Sequence, residues 1–156
     1  MRLSLQTDYA LRTLIYLAGF PGRAKVQDVA DFYQISVHHV GKVVHLLGKS
    51  GLVRAVRGIG GGIEIARAAD EIRVGEVVQH FEGNMHLLEC VGTDGVCTIQ
   101  PNCRLRGILA EAERVQLEYL NRFTIADVVQ PGGGLAEFMP LLQLSSVNSL
   151  TTNTGE

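Results

Sequence analysis

The chain has 156 residues, of which 46% are hydrophobic and 19% are charged, and its formal net charge is −2. This length supports one compact core, and the composition is that of a folded globular protein rather than a disordered one. No apolar run approaches the ~20 residues of a transmembrane helix, and the start lacks the apolar segment of a signal peptide. We therefore expect a cytoplasmic protein that does not enter the membrane.

Charge is distributed unevenly along the chain. Residues 1–73 carry ten Lys or Arg against six Asp or Glu, whereas residues 74–156 carry four against ten. A basic first half and an acidic second half indicate a module that faces phosphate, joined to a module that faces a different partner.

Helical periodicity predicts three helices in the first half, over about residues 4–19, 26–33 and 37–49. A short turn separates the last two, and Ser36 is placed to cap the third helix. The residues predicted to face inward on this third helix are Val37, Val40, Val44 and Leu47.

From Leu52 the hydrophobic period changes to two, which predicts a β-hairpin over about residues 52–66. Its tip, residues 58–62, is rich in glycine. A phosphate-binding loop is excluded because no Gly-Lys-Ser/Thr follows and a strand comes next. Helix, helix-turn-helix and hairpin, in this order, predict a winged helix-turn-helix domain over residues 1–82.

The predicted outer face of this domain is polar and basic. The second helix of a helix-turn-helix enters the major groove of DNA, and an arginine beside an unhindered glycine backbone can enter a narrow minor groove. A solvated polar face without a partner is the alternative, but the whole set favours binding to double-stranded DNA. The predicted contacts are Ser36, His38, His39, Lys42, Arg54, Arg57, Gly58 and Gly60.

The second half of the chain is predicted to contain short helices over residues 74–81 and 124–129 and a long helix over 105–121. An apolar stripe on the long helix indicates a seam against a second helix. The stripe consists of Leu105, Ile108, Ala112, Val115 and Tyr119. We predict a mainly α protein in which residues 105–130 mediate dimerisation and residues 131–156 form a flexible tail.

Three cysteines, Cys90, Cys97 and Cys103, lie within fourteen residues, and the chain has no others. Their surroundings are polar and rich in turn-forming residues, whereas structural cysteines are usually buried. Because thiolates favour zinc and iron–sulfur clusters, residues 83–104 are predicted to hold a metal centre. The fourth ligand stays open among His86, Glu89, Asp94 and a remote donor or one from a second subunit.

Other classes of protein remain possible at this point. A zinc-stapled structural module and a thiol-switch repressor without a cluster both use the same cysteines. A redox enzyme would need an acid–base pair in a pocket, and the sequence has no Ser/His/Asp or Cys/His pattern in a supporting context. We therefore predict a regulator that is not an enzyme.

Four sequence features occur in a fixed order: the start through Thr7-Asp8-Tyr9-Ala10-Leu11-Arg12, the wing at residues 56–62, the segment Val74-Gly75-Glu76-Val77-Val78, and Cys103-Arg104-Leu105. In this order they resemble the NsrR/IscR family of winged-helix iron–sulfur transcription regulators, over about residues 1–130. The resemblance is closest to the NsrR group, the bacterial nitric oxide sensors. The IscR branch has a histidine ligand three residues after the last cysteine, where this chain has Arg106.

The resemblance implies a homodimeric repressor of a palindromic operator with an iron–sulfur cluster, 4Fe–4S being favoured and 2Fe–2S possible. Its implied ligands are the three cysteines and Asp8, the latter donated by the partner subunit. An i,i+4 ion pair with Arg12 is the other interpretation of Asp8. By resemblance, nitric oxide nitrosylates the cluster, DNA is released, and nitric oxide detoxification genes are derepressed. A sensor of iron–sulfur status or redox state is the alternative.

Overall fold

The computed structural model describes residues 2–20, 22–83 and 85–129. Helices dominate this part of the chain, and a two-stranded sheet follows the third helix, which confirms the predicted mainly α winged-helix class. No helix in the described residues is long and apolar enough to cross a membrane. The elements are α1 Leu5–Gly19, α2 Val26–Tyr33, α3 Val37–Lys49, β1 Val53–Val56, β2 Gly62–Ile65, α4 Val74–Glu82, α5 Glu89–Gly92, α6 Arg104–Leu120 and α7 Ile125–Val129.

Helix α1 is the centre of the core. Its side chains Ala10 and Leu14 are fully buried and Leu17 nearly so, and the helix contacts α2, α3, α4, α7 and β2. Ser4 caps its first turn, since the Ser4 hydroxyl accepts a hydrogen bond from the Thr7 N–H at 3.2 Å. The position of α1 therefore affects both the helix-turn-helix and the elements that follow the wing.

Helices α2 and α3 form the helix-turn-helix. Gln34 ends α2 in the left-handed conformation, with φ of 52°, and its N–H donates to the carbonyls of Ala30 and Asp31. On α3 the structure buries Val40, Val43 and Leu47.

The prediction that Val37 faces inward is wrong, because 44% of its surface is exposed. Residues at spacings of three and four share one helix face, so both Val43 and Val44 were compatible with the sequence pattern. Packing against α1 and α2 selects Val43 as the fully buried member, while Val44 packs at the edge of the core.

The wing is an antiparallel pair in which Val53 faces Ile65 and Val56 faces Gly62. Its tip turns through Gly58 and Gly60, whose φ angles of 100° and 75° suit glycine. A further bridge between Ala24 and Ile63 joins the hairpin to the segment before α2.

The chain returns to the winged-helix core after α6. The Ile125 N–H donates to the Ile72 carbonyl at 2.9 Å, and the Val74 N–H donates to the Phe123 carbonyl at 2.9 Å. Ile125 of α7 is fully buried. Gly75 allows the close approach of Asn121 at the end of α6, because a Cβ at Gly75 would lie 2.3 Å from the Asn121 side-chain oxygen. These contacts fix the C-terminal end of α6 against α4.

A matched pair of substitutions tests the rotation of α3. Val43→Ala removes buried methyl groups and should lower the free energy of unfolding by about 2 kcal/mol. Val37→Ala, on the same helix but exposed, should stay within about 0.5 kcal/mol of the wild type. Urea unfolding followed by circular dichroism measures both, and equal losses would contradict the observed burial of α3.

Candidate metal centre and DNA-reading surface

The three cysteines lie on one segment between α4 and α6. Cys90 is on the short helix α5, Cys97 is in the exposed loop after it, and Cys103 is the N-cap of α6. All three thiols are free; Cys97 is exposed, and Cys90 and Cys103 are partly buried. Because Cys103 stands at the N-terminus of α6, the unpaired N–H groups there favour an anionic neighbour.

Side chains from elsewhere hold the flanks of this segment. The Asp94 carboxylate pairs with Arg106 of α6 at 2.7 Å. His86 Nδ1 lies 3.0 Å from a Glu113 oxygen, and the other Glu113 oxygen accepts the Leu87 N–H at 2.5 Å. His86 and Asp94, two of the predicted alternatives for a fourth ligand, are thus already engaged by α6.

Asp8 lies on the first turns of α1, and the structure pairs it with Arg12 at 2.8 Å. The hydrogen bond that Arg12 donates to Asp8 is the main cause of the raised pKa of Arg12. Asp8 still exposes 39% of its side chain, so a second molecule can reach its carboxylate.

The three thiols do not form a complete set of metal ligands within the described part of one chain. Over residues 2–20, 22–83 and 85–129, no three His, Cys, Asp or Glu side chains are arranged to hold a metal ion. The donors nevertheless fit an iron–sulfur cluster in kind, because three uncommitted thiols share one short segment and thiolate sulfur is the preferred ligand of such clusters.

Gln100 is not among the residues predicted from the sequence, and the structure buries it within this segment. It is the one buried residue among residues 85–103, with 6% of its surface exposed. A polar glutamine in a loop gives no sequence signal for burial, so only the folded loop reveals it.

The polar face of α3 is open to solvent. His38, His39 and Lys42 are exposed, and the Ser36 side chain makes no capping hydrogen bond. The His39 ring stacks on Tyr9 of α1, with ring centroids 6.1 Å apart. Helix α3, the second helix of the helix-turn-helix and hereafter the recognition helix, is therefore in direct contact with α1, which carries Asp8.

The two wing arginines differ in their surroundings. Arg54 Nε lies 2.5 Å from a Glu64 oxygen, and Arg23 Nε lies 3.1 Å from the other Glu64 oxygen. The hydrogen bonds from Arg54 and then Arg23 hold the pKa of Glu64 below its usual range. Arg57 is exposed and forms no ion pair with any residue that the structure describes. The sequence analysis missed Glu64 because cross-strand ion pairing depends on the register.

The apolar stripe of α6 faces solvent. Ile108, near its middle, exposes 64% of its surface. The remaining large members are also at least half exposed: Leu105, Val115 and Tyr119. Exposed apolar rows of this extent on a long helix are typical of protein interfaces.

Together, the helix-turn-helix, the glycine-tipped wing and the long exposed helix define a winged-helix transcription regulator. The chain matches the Rrf2 family, described as iron-dependent transcriptional regulators, over residues 3–131. It belongs to that family. Regulators of this family bind DNA and are typically dimeric, so the prediction of a regulator rather than an enzyme is confirmed.

Related proteins from several bacteria are named NsrR. The chain is 44% identical over 132 residues to the HTH-type transcriptional regulator NsrR of Shouchella clausii, covering 83% of this chain and 89% of that protein. It is 38% identical to NsrR of Bacillus subtilis, covering 83% and 91%. These similarities confirm the resemblance read from the sequence.

Solved structures share the fold at lower identity. CymR, the global cysteine regulator of B. subtilis, has a TM-score of 0.68 at 23% identity and covers 83% of this chain and 96% of its own. IscR of T. potens has a TM-score of 0.65 at 20% identity, covering 99% and 94%. At such identities the likeness establishes the winged-helix architecture alone.

Proposed function

We propose that this protein is a dimeric, cytoplasmic repressor whose binding to DNA depends on an iron–sulfur cluster and whose signal is nitric oxide. The observation that carries the proposal is the set of three free thiols on one segment at the foot of α6. The similarity to regulators named NsrR supports the choice of nitric oxide over other signals.

Cys90, Cys97 and Cys103 would hold the cluster, with Asp8 of the partner subunit as the fourth ligand. Asp8 fits this role because its carboxylate remains reachable beside Arg12. When bound, the cluster supplies an iron with a carboxylate rather than a thiolate ligand, a position open to a small diatomic such as nitric oxide. We favour a 4Fe–4S cluster over a 2Fe–2S cluster.

The exposed stripe of α6 would pair with its counterpart in a twofold dimer. Such a dimer places two recognition helices in successive major grooves of a palindromic site, about 34 Å apart. The cysteine segment leads directly into α6 through Cys103, so the thiol site lies at one end of the proposed interface.

The path from the thiol site to DNA passes through α1. Asp8 is on α1, Tyr9 stacks on His39 of the recognition helix, and α1 packs against α3. A ligand bond to Asp8 of the partner subunit would therefore fix the orientation of one recognition helix relative to the other subunit. Loss of that bond would let the two recognition helices move and would weaken binding to a palindrome.

The direct test is anaerobic purification of the full chain. We expect a brown protein containing iron and acid-labile sulfide, bound to operator DNA in a gel-shift assay. Nitric oxide should bleach its absorbance and release the DNA together. A colourless protein with zinc would favour the zinc module, and a metal-free protein with redox-dependent DNA binding would favour the thiol switch. Either result would overturn the proposal.

Asp8→Ala tests the fourth ligand, and Arg12→Ala is its matched control. Both variants break the ion pair on α1, which is worth ~0.2–0.5 kcal/mol, but only Asp8→Ala removes the carboxylate. If Asp8 binds iron, Asp8→Ala alone should alter the visible and circular dichroism spectra of the cluster. Identical spectra for the two variants and the wild type would leave Asp8 as an ion-pair partner only.

Arg57→Ala tests the wing. Because Arg57 has no carboxylate partner among the residues that the structure describes, it is available to enter the minor groove, and its loss should weaken operator binding by about 1–3 kcal/mol. Discrimination at A·T-rich flanks should also decline. Arg54→Ala removes an equal charge from the same hairpin, but Glu64 already neutralises Arg54, so we expect a smaller loss. Fluorescence anisotropy at fixed salt measures both, and an Arg57→Ala footprint like that of the wild type would exclude the wing from readout.

A further inference from the structure

The Gln100 side chain makes three hydrogen bonds inside the cysteine segment. Its Oε1 accepts the Gly95 N–H at 2.8 Å. Its Nε2 donates to the Cys90 carbonyl at 2.8 Å and to the Thr93 carbonyl at 2.6 Å. One buried amide thus satisfies two acceptors and one donor of the backbone around the first cysteine.

The Gln100 main chain contacts the other two cysteines. Its N–H donates to the Cys97 carbonyl at 3.1 Å, and its carbonyl accepts the Cys103 N–H at 3.3 Å. Peptide groups of all three cysteines are therefore hydrogen-bonded to this single residue.

The remaining backbone–backbone hydrogen bonds of residues 89–103 are local. Thr93 N–H donates to the Glu89 carbonyl and Asn102 N–H donates to the Ile99 carbonyl, each within a single turn. Within residues 89–103, the Gln100 side chain is what joins the part with Cys90 to the part with Cys97 and Cys103. Because every other residue from 85 to 103 is at least partly exposed, apolar packing contributes little to this connection.

We propose that Gln100 is the positioning residue of the thiol site, holding the backbone at the three cysteines in one ordered segment before metal binds. This inference rests on the proposed function, namely that the thiols are metal ligands. Groups that orient ligands typically contribute about 10- to 100-fold to metal affinity, because they remove the cost of ordering the ligands on binding.

The chemistry of the side chain is specific. An amide can donate to two carbonyls and accept one N–H at the same time. Methionine has nearly the same length but cannot make these bonds, so Gln100→Met keeps the volume and removes the connection. Gln79→Met is the matched control, since Gln79 is exposed on α4 and lies outside the cysteine segment.

The experiment uses the reduced, metal-free full chain and Co²⁺ alone as the probe. Thiolate-to-cobalt charge-transfer absorption reports both affinity and the number of thiolates bound. Relative to the wild type, Gln100→Met should bind Co²⁺ about 10- to 100-fold more weakly, with lower charge-transfer intensity per bound ion. Gln79→Met should match the wild type. In the same samples, hydrogen exchange at the Gly95 amide should accelerate only in Gln100→Met, while amides of α1 and α3 stay protected.

The outcomes separate the two proposals. Equal affinity, intensity and Gly95 exchange in Gln100→Met and Gln79→Met would overturn the role of Gln100 while leaving the thiol site intact. A wild-type chain without any thiolate-to-cobalt absorption would overturn the thiol site and, with it, the positioning role. Loss of protection in α1 and α3 of Gln100→Met would also overturn the inference, because it would show that Gln100 supports the whole fold.

Discussion

The burial of α1 among α2, α3, α4 and α7 is the constraint on which the rest of the structure depends. Ala10, Leu14 and Leu17 are buried in this core, and the helix-turn-helix and the elements after the wing pack on one shared helix. The start of α1 is tied to the end of α4 as well, since the Glu82 carboxylate accepts the Ser4 N–H at 2.7 Å and the Thr7 hydroxyl. The Thr7 hydrogen bond is the largest favourable cause of the lowered pKa of Glu82. The first turns of α1, which carry Asp8, are therefore held to both α3 and α4.

The cysteine segment is ordered in a different way from α1. Between α4 and α6 the chain buries little apolar surface, and its order comes from hydrogen bonds around Gln100 and from ion pairs to α6. Segments with few buried contacts open at low free-energy cost. Binding or loss of a ligand that joins the cysteine segment to the packed core can therefore change the geometry of the molecule without unfolding it. This property suits the cluster-dependent switch that we propose.

The ion pairs of individual arginines add information that the net charge of each half does not give. The basic first half contains Glu64, whose single carboxylate pairs with both Arg23 and Arg54, whereas Arg57 beside the glycine-rich tip pairs with no carboxylate in the described residues. Long-range attraction to DNA depends on the summed charge, whereas contact with a groove depends on which arginines are uncommitted. Arg54 and Arg57, three residues apart on the same hairpin, consequently have different expected contributions to DNA binding.

The sequence by itself determined the element order, the wing and the thiol-rich segment, because hydrophobic period, glycine and cysteine placement are local signals. It located the boundaries of α6 within one residue for the same reason. The helical period of α3 wrongly predicted that Val37 faces inward. Val43 and Val44 both fit this period, and only packing against α1 and α2 shows which of them is fully buried. The pairing of Arg54 with Glu64 and the burial of Gln100 were decided by tertiary structure alone. Such contacts depend on strand register and loop closure, which bring together residues whose separation along the chain carries no periodic pattern.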